Sequence, residues 1–286
     1  MPTISRMPKR IFLLTALILL FSPCLFSDVL KEIKNLPKEE LKRDHFIIYH
    51  ENRNFANDVS WKAEYNYKKI LRHLGAADFH PWEKKDNKCM ILIFRNQKEF
   101  LDAVLAPLNL KNEEEATVAR ASLDWMGGMA RKDENVLMIF EGAEGVENQI
   151  LPHELTHLIL REYFGKADIP LWLHEGMAQY EEEGRDYKKL VMNIVRDEIF
   201  LALADLFKMK SVPPSRAEIA LFYAQSASVI DYMRTQLLQT QFSQFLRRLK
   251  DGRPTDEALK EVYQWKFPNG VEDFEKRWVE YVKTKY

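Results

Sequence analysis

Residues 153–157 read His-Glu-Leu-Thr-His, and this stretch restricts what the 286-residue chain can fold into more than any other. On a helix, side chains four apart stack on one face, so His153 and His157 present their imidazoles to the same point in space. Two imidazoles so placed can hold one tetrahedral zinc ion and leave positions open for a third ligand and a water. Glu154, next to the first histidine, can approach that water without itself being a ligand. The local sequence suits a helix. Asn148 is placed to cap it, Pro152 falls in the first turn where a missing N–H costs little, and Leu151, Leu155 and Leu158 supply a packing stripe.

Such a pair of histidines needs a third donor, and Glu175 is the candidate. It lies eighteen residues after His157, in the run Pro170-Leu171-Trp172-Leu173-His174-Glu175-Gly176-Met177-Ala178-Gln179-Tyr180. This run reads as a second helix after a short connection, and Gly176 and Ala178 are small enough for close helix packing. His174 competes for the role. Neighbouring helix positions point about 100° apart, so the two cannot readily face one metal. That favours Glu175 and leaves His174 at the rim or surface.

His-Glu-x-x-His followed by Trp-Leu-x-Glu-Gly-x-Ala-x-Tyr resembles the gluzincin zinc metallopeptidases, in particular their peptidase MA-like family of exported proteins. It is also similar to the aminopeptidase N-like family. The metzincin pattern needs Gly and His where this chain has Leu160 and Tyr163. The resemblance implies a two-lobed zincin-like fold of α+β class, with one Zn2+ per chain held by His153, His157 and Glu175. It implies hydrolysis of a peptide or protein substrate by zinc-activated water, with Glu154 as general base.

Further positions follow from the same resemblance. In the aminopeptidase-like relatives a tyrosine on a later helix stabilises the oxyanion, and Tyr223 in Phe222-Tyr223-Ala224-Gln225-Ser226-Ala227 has similar surroundings. Gly127, Gly128 and Met129 resemble the substrate-binding edge strand of those relatives. Ala130 and Arg131 replace the Glu-Asn pair whose glutamate holds a substrate amine there, so endopeptidase action is expected. Gln179 stands where some gluzincins carry an Asp that orients a zinc histidine, and its amide oxygen is expected to accept that hydrogen bond. The rival class is a zinc-containing cell-envelope binding or adaptor protein with little or no peptidase activity.

The rest of the chain frames this motif. Residues 1–27 read as a secretory signal peptide: Arg6, Lys9 and Arg10 precede the apolar run Ile11–Phe21, with small and polar Ser27-Asp28 following. The run is too short for an ordinary membrane span, so no stable span is expected after cleavage. The protein is then periplasmic or extracellular; an uncleaved N-terminal anchor is the alternative. Cleavage removes three basic residues and leaves 39 against 43 acidic ones, with no basic field for nucleic acid. It also leaves Cys89 without a disulfide partner.

Residues 28–44 read as an irregular linker, 45–147 as an α/β lobe with the edge strand, and 148–286 as a helical lobe carrying the motif. Phe46–Tyr49 and Met90–Phe94 have strand character, and Trp125–Arg131 with Val136–Phe140 looks like a hairpin. A helix is expected over Asp58–Leu74, capped by Asn57 and ended by Gly75. After Phe140 only helical patterns follow, at 148–164, 171–183, 186–207, 216–236, 241–250, 255–264 and 271–284. Asn112–Glu115 and Glu181–Glu183 read as solvated charge runs, and His45, His50, His73 and His80 as structural or exposed.

Overall fold

The computed structural model describes residues 36–84, 87–108, 110, 112–131, 134–184 and 187–286. The expected signal peptide and the first part of the expected linker lie outside the described residues. The remainder of that linker is not irregular throughout, since Glu39–Lys42 forms a strand, β1.

Five strands make one mixed sheet in the order β1-β2-β3-β5-β4, with β2 at Phe46–His50, β3 at Cys89–Phe94, β4 at Gly128–Arg131 and β5 at Val136–Phe140. β2, β3 and β5 run parallel, while β1 and β4 pair antiparallel on the two edges. Strand periodicity divides the side chains between two layers. Phe46, Ile48, Ile91, Ile93, Leu137 and Ile139 join the large core shared with the motif helices. Leu92, Phe94, Val136, Met138 and Phe140 pack on the other face. The expected hairpin exists, with β4 shorter than its pattern suggests.

Helix α1 (Arg53–Leu74) covers the large-core face. It begins five residues before the expected start. Asn52, not Asn57, is its cap, accepting from the Phe55 amide at 3.3 Å. Asn57 instead accepts from the Arg43 guanidinium. Both asparagines carry a side chain suited to capping, and only Asn52 is used for it. Gly75 ends the helix in a left-handed conformation, φ 64°. Two helices that the pattern left unread, α2 (Gln97–Leu105) and α3 (Glu113–Ser122), are capped by Asn96 and Asn112 on the opposite face. The acidic run at 113–115 is thus exposed, as expected, yet it forms the first turn of α3, where carboxylates suit the helix dipole.

Beyond Phe140 the described residues hold no further strand. The helices are α4 (Leu151–Phe164), α5 (Leu171–Glu181), α6 (Lys188–Arg196), α7 (Leu203–Leu206), α8 (Arg216–Gln236), α9 (Gln239–Lys250), α10 (Thr255–Tyr263) and α11 (Val271–Lys285). The single helix expected over 186–207 is broken between α6 and α7. Buried Gln225 of α8 grips the intervening chain, accepting from the Leu201 amide at 2.9 Å and donating to the Leu201 carbonyl at 2.6 Å. No helix among the described residues is long and apolar enough to cross a membrane.

Replacing Asn52 with Ala should lower stability by about 1 kcal/mol, read from urea or thermal unfolding.

Candidate metal centre

α4 enters the core through one π-turn, Val146–Ile150, and not through a capped end. The expected cap, Asn148, has other partners: its side chain accepts from Lys62 Nζ at 2.9 Å, and its carbonyl accepts from the Glu183 amide at 2.7 Å. Pro152 does lie in the first turn. The helix is buried on nearly every side, so its polar residues must find partners inside the protein.

They find them on α5. Ligand atoms of His153, His157 and Glu175 all lie within 4.8 Å of one another. The two Nε2 atoms are 3.1 Å apart, and His157 Nε2 is 3.7 Å from Glu175 Oε2. Tetrahedral zinc with bonds near 2.1 Å spaces its donors by about 3.4 Å. Two imidazole nitrogens and a carboxylate at this spacing fit a zinc ion in both chemistry and scale.

His153 is oriented from behind. Its Nδ1 donates to Glu182 Oε1 at 2.7 Å, which fixes the tautomer and turns the Nε2 lone pair toward the cluster. Burial pulls the His153 pKa down, but the Glu182 hydrogen bond and charge, with Glu154 and Glu175 nearby, outweigh it and hold the group above its ordinary value. A field that stabilises an imidazolium also favours a bound cation.

Gln179 acts on the orienting carboxylate: its Nε2 donates to Glu182 Oε1 at 2.9 Å and steadies the group that receives the His153 proton. Glu182 is therefore the residue the sequence reading missed, set aside within a charge run. Its side chain is only 1% exposed. A signal was available: carboxylates are disfavoured at a helix C-terminus, so three glutamates at the end of α5 call for partners. His174 is also not at the surface. It is buried, stacks on His157 with ring centroids 4.1 Å apart, and has Nδ1 3.2 Å from Glu175 Oε1.

Glu154 faces the sheet edge, its Oε2 accepting from the Ala130 amide of β4 at 2.9 Å. Gly127 and Gly128 lie beside Ile150, where an added Cβ would come within 2.4 Å of that side chain. The Met129 side chain packs in the opposite layer of the sheet. Tyr223 is buried on α8, one turn before Ser226. The Ser226 carbonyl sits so close to Gly176 that a Cβ there would be 2.7 Å from its oxygen. Glycine beside Glu175 is what lets α5 and α8 approach. A groove of about 1010 Å³ lined by Pro170, Lys208, Arg253, Thr255 and Gly270 contains none of these site residues.

Gly176→Ala should destabilise the fold by about 1–3 kcal/mol by forcing α8 off α5, read from denaturant unfolding.

A search of curated proteins returns no match to this chain. The family model described as the peptidase MA superfamily matches residues 111–284, which include α4, α5, α8 and the β4–β5 hairpin. That family supports metal-dependent peptidase chemistry acting on peptide or protein substrates, as the paired histidines and glutamate suggest. By the extent of this match, the chain belongs to the peptidase MA superfamily.

Proposed function

We propose that the protein is an exported zinc metallopeptidase of gluzincin type, cleaving within peptide chains. The observation that carries the reading is the convergence of His153, His157 and Glu175 within 4.8 Å, with Glu154 on the same helix turn. In this reading His153, His157 and Glu175 hold one Zn2+. When bound, zinc supplies Lewis acidity toward a carbonyl oxygen and lowers the pKa of a water.

Glu154 removes the proton from the attacking water and passes it to the leaving amine as the C–N bond breaks. The Ala130 amide keeps that carboxylate turned toward the edge strand, where a substrate backbone can align along β4 at Gly127, Gly128 and Met129. Tyr223 donates its phenolic proton as a hydrogen bond to the developing oxyanion. Ala130 offers no carboxylate for a substrate amine, which supports endopeptidase over aminopeptidase action. The basic N-terminus and apolar run at 11–21 support export.

Wild-type protein purified without chelator should carry about one zinc per chain. Glu154→Gln should keep that zinc and lose about 10²–10⁴-fold in kcat on a peptide library. Zinc-loaded protein with no Glu154-dependent cleavage would instead favour a binding or adaptor role, and absence of zinc would end both readings. Tyr223→Phe should reduce kcat by about 10²-fold with KM little altered; equal loss in both would argue for a packing role. Exported protein should begin near Asp28 on N-terminal sequencing, whereas an intact N-terminus in the membrane fraction would indicate an anchor.

A further inference from the structure

Three consecutive glutamates stand at the negative end of the α5 dipole: Glu181 closes the helix, and Glu182 and Glu183 follow it. Glu181 is fully buried there. A carboxylate so placed is costly unless hydrogen-bond donors or cations meet it. Two residues of α1 do so: His73 Nδ1 donates to Glu181 Oε1 at 2.6 Å, and Lys69 Nζ lies 3.4 Å from Glu181 Oε2. Lys69 also donates to the Glu181 carbonyl at 3.2 Å and lies 3.6 Å from Glu183 Oε1. The His73 ring packs against Tyr180, with centroids 5.6 Å apart. One helix therefore holds the residues on both sides of Glu182, and Glu182 is the residue that holds His153.

We propose that Lys69 and His73, by clasping Glu181 and Glu183, are positioning residues for the metal centre: they fix the end of α5 so that Glu182 keeps His153 turned to the metal. The inference rests on the zinc reading above and extends it to α1, which lies outside the segment matched by the family model. An isolated ion pair would only join two helices. This one brackets a hydrogen-bonded carboxylate whose reach to His153 depends on where the turn sits. Releasing it lets Glu182 drift, and the imidazole loses its fixed orientation.

The test compares zinc dissociation constants, by chelator competition on full-length chain, with melting of the same proteins freed of zinc. Glu182→Gln should weaken zinc by about 10–100-fold, and Lys69→Met by about 10-fold. Lys69→Arg, which keeps the cation, should restore most of the affinity. The visible spectrum of the cobalt-substituted protein should shift in both weakened variants, a change that mere loss of stability does not produce. If Lys69→Met fails to fold, His73→Leu takes its place with the same expectation.

A folded Lys69→Met or His73→Leu protein with wild-type zinc affinity and an unshifted cobalt spectrum overturns the inference. If the wild type meanwhile binds zinc and shows Glu154-dependent cleavage, the functional reading survives that result. A wild type that takes up no zinc overturns both.

Discussion

A carboxylate with no solvent exposure, Glu175, sits against two buried imidazoles, and much of the molecule is arranged to make that tolerable. Removing a charge from water costs several kcal/mol even after the protein relaxes, so such a group persists only where positive charge or hydrogen-bond donors converge on it. Here the convergence comes from α4 packing on α5. On another side of α5, Gly176 lets α8 approach, because a side chain at that position would strike the Ser226 carbonyl.

Around this centre the polar groups are arranged in layers. Glu182 orients His153, Gln179 steadies Glu182, and His174 stacks on His157. The sheet contributes through a backbone group: the Ala130 amide on edge strand β4 meets Glu154. An edge strand has N–H groups that no neighbouring strand uses, and they are free to bond a carboxylate from a helix. The helical part is tied together by α8, which bears Tyr223, faces Gly176 and grips the chain between α6 and α7 through Gln225. Sheet and α8 thus each contact one of the two motif helices.

Much of this was legible in the residues. The parallel strands show as apolar runs because both faces are covered, and α8 and α11 follow from uninterrupted helical periodicity. His153, His157 and Glu175 could be grouped because a fixed helical spacing converts sequence distance into direction. What escaped notice has a common cause. Asn52 and Asn57 both carry a capping side chain, and in the fold Asn52 caps α1 while Asn57 bonds Arg43. The helix read over 186–207 breaks where Gln225 captures the Leu201 peptide, a contact 24 residues distant. Glu182 reads as part of a solvated run because its one local signal, a carboxylate at a helix C-terminus, does not say which distant groups meet it.

The chain alone determined which donors could meet, since His153 and His157 lie on one helical face whatever surrounds them, and a glutamate eighteen residues on falls on the next helix. Only the tertiary structure decided which groups hold those donors in place. Glu182 takes the His153 proton, and next to it Glu181 is buried against Lys69 and His73 of α1. Local spacing follows from covalent geometry and helical repeat, whereas burial and long-range pairing depend on which distant elements come to rest against one another.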